Sequence, residues 1–324
     1  MYGIHHVIVQ NGNLKYEFDI KRNITILKGD SASGKTTLIE MIQEYLINGI
    51  DSGVSLSCDV SCCVLTGNLW KEQLGRTKNS IVFIDEGNRF VKSLEFAEAI
   101  KKTSNYYVIV TRENLEMLPI SVDEIYGIRS SGKYGTLTPV YHEFYRIYDF
   151  GKKETYPLQP SSMIVEDSNS GYEFFSAVSE NIPCISAKGK SNIFHILCEK
   201  TFDQHTLIIA DGAAFGSQIN RIERFVKENN FLHLYLPESF EWLLLNSGIL
   251  KQSKLEDILM NTAEYVESEK YFSWEQYFTD LLVQLTKDSY LKYNKKKLNP
   301  NYLQPTIKKR IIESMKEIEL NGCK

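Results

Sequence analysis

One octapeptide constrains this chain more than any other: Gly29-Asp30-Ser31-Ala32-Ser33-Gly34-Lys35-Thr36, of the pattern G-x-x-x-x-G-K-T. Such a loop wraps phosphate, and it needs a buried strand before it and a helix after it. The glycines let the backbone curl so that several N–H groups converge on one phosphate. Lys35 reaches the β- and γ-phosphates, Thr36 offers a hydroxyl to Mg²⁺, and Thr37 continues the binding turn. The helix that follows aims its positive end at the anion. Both flanking elements are present. Asn23-Ile24-Thr25-Ile26-Leu27-Lys28 is a short apolar, β-branched run. Beyond the loop, Leu38, Ile39, Met41, Ile42, Tyr45 and Leu46 recur at helical spacing, and Asn48-Gly49 supplies a stop.

The rest of the chain extends this into an α/β protein. Residues 2–10 and 14–20 form two strands around Asn11-Gly12-Asn13. Residues 54–66 are β-rich. Ser80-Ile81-Val82-Phe83-Ile84-Asp85-Glu86 is an unbroken apolar run that ends in two acids, and a helix of roughly a dozen residues is expected from Arg89. Tyr106-Tyr107-Val108-Ile109-Val110-Thr111-Arg112 is another apolar strand with a polar end. Strands apolar on both faces and separated by helices imply a parallel sheet covered on both sides. Residues 121–150 alternate tyrosine and glycine with polar residues, an antiparallel addition with a hairpin turn at Ser130-Ser131-Gly132-Lys133, and residues 151–162 have the composition of a linker. A second strand–helix alternation runs from Met163-Ile164-Val165 through Leu207–Asp211 to Phe231–Leu236. From 238 onward the pattern is helical and aromatic-rich.

A chain of 324 residues favours two domains. The net charge of −4 gives no global reason to bind nucleic acid or an anionic membrane, so any such surface must be local. The N-terminus lacks the basic start and apolar core of a signal peptide, and no apolar run approaches the ~20 residues that span a bilayer. The six cysteines form no C-x-x-C pair. They read as buried, reduced thiols of a cytoplasmic protein rather than disulfides or zinc ligands.

Asp85 at the strand tip is placed to hold the Mg²⁺ water shell. Glu86, directly after it, is placed to orient and deprotonate an attacking water. In a parallel sheet every strand ends on the edge that carries the phosphate loop, so Thr111 stands where it reaches a γ-phosphate or that water. Arg112 and Arg89 read as loop residues. The Asp-Glu pair resembles that of the P-loop ATPases with an additional catalytic glutamate. The N-terminal hairpin running into Ile24–Gly29 is similar to the head of ABC-type ATPases, although no L-S-G-G-Q-like segment occurs between residues 37 and 85. The resemblance implies ATP and Mg²⁺ as ligands, Lys35 and Glu86 as catalytic residues, and an oligomer that completes its sites across an interface. No N-K-x-D motif points to guanine.

In the second half, Met163-Ile164-Val165-Glu166-Asp167 is a strand ending in acids, Ala187-Lys188-Gly189-Lys190-Ser191 is a basic turn opening a helix, and Leu207-Ile208-Ile209-Ala210-Asp211 is a second strand ending in an acid. Over residues 162–245 this order resembles the Toprim domain of topoisomerases, primases and OLD-family nucleases. The resemblance implies Glu166 as acid/base or metal ligand and Asp211 as the first acid of a Mg²⁺-binding D-x-D pair. The second acid position falls at Ala213, which has no donor. Asp167, Glu238 and Glu241 are nearby acids able to compensate, although Pro237-Glu238-Ser239 equally reads as an ordinary helix start. Lys292, Lys295, Lys296 and Lys297, with Tyr290 and Tyr293, form the most basic stretch, which suits nucleic acid or a solvated helix end. Trp242, Phe272, Trp274, Tyr277 and Phe278 read as core.

The expected organisation is therefore a P-loop ATPase domain over 1–155, a Toprim-like α/β domain over 156–248 and a helical segment over 249–324. By resemblance to OLD-like nucleases and related bacterial defence ATPases, the nucleotide state gates an effector that acts on DNA or RNA. The alternatives are an ATPase switch whose second domain only binds a partner protein, a small-molecule kinase, and an active metal nuclease. No membrane role is expected.

Overall fold

The computed structural model describes residues 1–29, 33–130, 140–148, 157–179, 181–316 and 318–320, and the chain divides into two compact units, 1–148 with 261–273 and 149–260 with 274–324. In the first unit, β1 (His5–Gln10) and β2 (Leu14–Ile20) pair antiparallel, as the sequence predicts. The turn between them is set by Asn11, whose Oδ1 accepts from the N–H groups of Asn13 and Leu14, both at 2.9 Å. Then come β3 (Ile24–Leu27), α1 (Lys35–Asn48), the short strands β4 (Ser55–Ser57) and β5 (Ser61–Val64), and α2 (Trp70–Arg76). They are followed by β6 (Ser80–Ile84), α3 (Leu94–Ile100), β7 (Tyr106–Val110), β8 (Ile125–Ser130) and β9 (Val140–Arg146).

All nine strands join one sheet in the order β4-β1-β2-β9-β8-β3-β7-β6-β5. Its β8-β3-β7-β6-β5 half is parallel, with strands such as Ile81–Ile84 and Tyr106–Val110 buried on both faces. Pairing β8 with β9 and β1 with β2 makes the other half mixed. The expected antiparallel addition is thus integrated into the middle of the sheet. Its turn at Ser131–Lys133 lies outside the described residues, as do residues 151–156 of the expected linker.

The two edge strands, β4 and β5, are separated in sequence only by Cys58-Asp59-Val60, a span that reaches at most about 14 Å. The sheet therefore curls until its edges approach, and α1 fills the concavity. Leu38, Ile39, Met41 and Ile42 of α1 share one core with Val7 and Val9, Phe18, Cys62, Phe83 and Val108. The helix expected from Arg89 is broken: a turn of 3₁₀ helix over Arg89–Lys92 ends where Ser93 takes an extended conformation and caps α3, its Oγ accepting from Phe96 N–H at 3.1 Å. Residues 261–273 are tied to the N-terminus. Gly3 N–H donates to Ala263 O at 2.8 Å, and the Asn23 side-chain amide donates to Ser268 O at 2.8 Å.

The second unit is built on a four-stranded parallel sheet of order β11-β10-β12-β13: β10 (Ser162–Val165), β11 (Cys184–Ser186), β12 (Thr206–Ile209) and β13 (Leu232–Tyr235). Three helices connect them, α4 (Ser170–Val178), α5 (Lys190–Glu199) and α6 (Gly216–Glu228). Beyond the sheet lie α7 (Phe240–Asn246), α8 (Leu255–Met260), α9 (Trp274–Thr286) and α10 (Pro305–Glu313). Of the predicted core aromatics, Trp274, Tyr277 and Phe278 are buried here and Phe272 in the first unit. Among the described residues no helix is long and apolar enough to cross a membrane. The described cysteines are free thiols, but only Cys62 is fully buried and Cys198 is exposed.

Candidate functional site

In the first unit the phosphate-loop sequence runs from the end of β3 into α1. Residues 30–32 lie outside the described set. Gly34 occupies the position before α1 with φ 89° and ψ 5°, a left-handed conformation that suits glycine. Gly34 has no side chain to cap the helix, whose first N–H groups carry the positive end of its dipole. A Cβ on Gly34 would stand 2.8 Å from the Tyr16 hydroxyl, which donates to Gly34 O at 2.9 Å. Tyr16 in turn stacks on His142 of β9, ring centroids 4.5 Å apart, so two neighbouring strands support the loop from beneath. Sequence reasoning missed this pair, because β2 and β9 pair across most of the unit. The Lys35 ammonium donates to Gly29 O at 3.0 Å and to Ser33 Oγ at 2.7 Å. Thr36 is exposed and Thr37 half-buried.

The acids come from two strands away. β7 lies between β3 and β6, with Leu27 level with Val110 and Ile84 level with Ile109. Asp85 and Thr111 therefore leave the same edge as the loop. The Thr111 N–H donates to Leu27 O at 3.1 Å, and its hydroxyl accepts from Glu113 N–H at 3.0 Å. Asp85 accepts from Glu86 N–H at 2.8 Å. Glu86 is exposed and forms an ion pair with Arg112 Nε at 3.0 Å. Arg112, expected to have no part, is thus the neighbour of the candidate base. Thr36 and Asp85 suit a magnesium ion that keeps most of its ligands from water and substrate phosphates.

In the second unit the strand register brings Glu166 and Asp211 together. Glu166 Oε2 accepts from Asp211 N–H at 3.0 Å, and Asp211 Oδ1 accepts from Phe240 N–H at 3.2 Å. They line a cavity of about 230 Å³ shared with Glu241, Glu275 and Lys295. Asp167 is taken up locally: its two oxygens accept from the N–H groups of Ser168, Asn169 and Gly171 and so start α4. Ser239 caps α7, accepting from Trp242 N–H, as the sequence predicts for a helix start there. Glu241, in the first turn of that helix, nonetheless turns inward and accepts from the Tyr293 hydroxyl at 2.8 Å.

Lys295 donates to Glu275 Oε1 at 2.6 Å and lies 3.8 Å from Glu241 Oε1. The basic stretch 292–297 is therefore not one surface, since Tyr293 is buried and Lys295 points into the acids. Burial raises the Glu166 carboxyl to about 7. Burial, with the Glu275, Glu166 and Glu241 carboxylates beside it, raises Asp211 well above the usual carboxylate range. Glu275 went unrecognised in the sequence because α9 reads as an ordinary aromatic helix. Among the described residues no three His, Cys, Asp or Glu side chains are grouped to hold a metal ion. No protein-family profile and no curated protein matches this chain.

Proposed function

We propose that the protein is an ATP-hydrolysing P-loop protein whose nucleotide state controls its second, Toprim-like unit, an effector directed at DNA or RNA of the kind used in bacterial anti-phage defence. The observation that carries the ATPase half is the common edge of β3, β7 and β6, from which Lys35, Thr111 and Asp85 follow three neighbouring parallel strands. In this reading the loop Gly29–Thr36 and Thr37 hold the triphosphate, and Lys35 offsets charge on its outer phosphates. Thr36 and Asp85 hold Mg²⁺, which when bound draws charge from the departing phosphate oxygens. Glu86 takes a proton from the attacking water, with Arg112 holding the carboxylate until substrate arrives.

The test is phosphate release from MgATP. Wild type releases phosphate; Lys35→Ala and Glu86→Gln do not, and Glu86→Gln still binds nucleotide. Transfer of phosphate to a metabolite without net hydrolysis would instead support the kinase alternative. For the second unit, the pairing of Glu166 with Asp211 supports an acid centre of Toprim type, while Ala213 favours the scaffold alternative. Mn²⁺-dependent cleavage of plasmid DNA or tRNA that is lost in Glu166→Ala separates the two. The absence of cleavage by wild type assigns the unit to partner-protein binding.

A further inference from the structure

We propose that Lys295 is the resident cation of the acidic cavity in the second unit, its ammonium standing where a divalent ion would otherwise balance the carboxylates, so that Glu166 and Asp211 hold no metal. The inference does not depend on the ATPase reading, and for the second unit it favours the scaffold alternative over a metal nuclease.

The lysine is built in rather than adventitious. Its own carbonyl accepts from Ser170 N–H at 3.2 Å, fixing the loop to the start of α4. Two residues earlier, the Tyr293 hydroxyl joins Ser170 Oγ at 2.7 Å and Glu241 at 2.8 Å. Three residues later, Leu298 N–H donates to Glu173 at 2.6 Å. A side chain tethered on both flanks loses little further freedom when it enters the cavity. Once there, the ammonium meets Glu275 at 2.6 Å and Glu241 at 3.8 Å.

The donor set does not fit a metal pair. Glu166 and Asp211 each commit an oxygen to a backbone N–H, and Ala213 contributes none. Two-ion phosphodiester chemistry needs several oxygen ligands around ions about 4 Å apart. Lys295 already supplies a cation to that cavity, and Lys188 lines it as well. Bringing a divalent ion in beside Lys295 would set like charges side by side in a half-buried site.

The experiment uses the full chain without nucleotide and MnCl₂ as the probe, with bound Mn²⁺ counted by electron paramagnetic resonance and thermal midpoints read alongside. Wild type and Asp211→Asn are expected to bind the same amount of Mn²⁺, because any site in wild type lies elsewhere. Lys295→Met keeps the aliphatic stem and removes the charge. It should gain a Mn²⁺ site at least about tenfold tighter than anything Asp211-dependent in wild type, with a midpoint that Mn²⁺ raises, and both gains should vanish in Lys295→Met/Asp211→Asn. Wild-type Mn²⁺ binding that disappears in Asp211→Asn overturns the proposal, as does a folded Lys295→Met that gains no site. Should Lys295→Met fail to fold, the comparison of wild type with Asp211→Asn still decides, and Lys295→Arg should fold and remain indifferent to Mn²⁺.

Discussion

Replacing Gly34 by alanine tests the backbone geometry at the start of α1 through stability alone. Gly34 has φ 89°, and an added Cβ would stand 2.8 Å from the Tyr16 hydroxyl and 3.4 Å from His142. A residue with a Cβ in a left-handed conformation costs about 1–2 kcal/mol. Relieving the overlap moves the Tyr16 hydroxyl and breaks its 2.9 Å hydrogen bond to Gly34 O, about 1 kcal/mol more. Gly34→Ala should therefore destabilise the first unit by about 2–3 kcal/mol in urea unfolding. The two terms separate in a double-mutant cycle. With Tyr16→Phe the clashing oxygen is gone and the bond already lost, so the same glycine replacement should cost about 1 kcal/mol less. Gly34→Ala costing under about 0.5 kcal/mol, or no coupling to Tyr16→Phe, would refute the loop geometry described above.

Three further outcomes follow from named contacts. Glu166 holds a proton in the folded chain up to about pH 7, whereas its ordinary value is 4.5, so the folded state binds more protons in that window. Its contribution to stability therefore falls as pH rises from 4.5 to 7, by up to about 3 kcal/mol; Glu166→Gln should flatten that part of the stability–pH curve, and an unchanged slope contradicts the burial argument. Gly212→Ala would press a Cβ to 3.0 Å from the carbonyl oxygens of both Leu236 and Pro237, backbone that cannot swing aside. A loss of about 1–3 kcal/mol is expected in denaturant titration. Ser93→Ala removes the α3 cap and should cost about 1 kcal/mol by the same assay.

Local structure was legible in the sequence. The Asn11 turn, the strand–loop–helix around Gly34 and the apolar strands ending at Asp85 and Thr111 all follow from patterns within a dozen residues. What was not legible depends on pairing across the chain. Nothing local to Val140–Arg146 announces that it lies parallel to β2 and stacks His142 on the Tyr16 ring beside Gly34. The break at Ser93 was missed because a helical apolar pattern continues across it, while the serine's hydroxyl prefers a cap. In the second unit Glu166 and Asp211 were visible as strand ends. Glu275 and Lys295 were not, since an acid in the first turn of a helix and a lysine in a basic run both have ordinary explanations.

Whether Gly29–Thr36 with Asp85 forms an ATP site is decided by calorimetric titration of MgATP into the full chain. Wild type should give a saturable one-site isotherm, Lys35→Ala no binding, and Glu86→Gln binding equal to wild type. Wild type that binds no MgATP, or Lys35→Ala that binds it as tightly as wild type, would contradict an ATP site there.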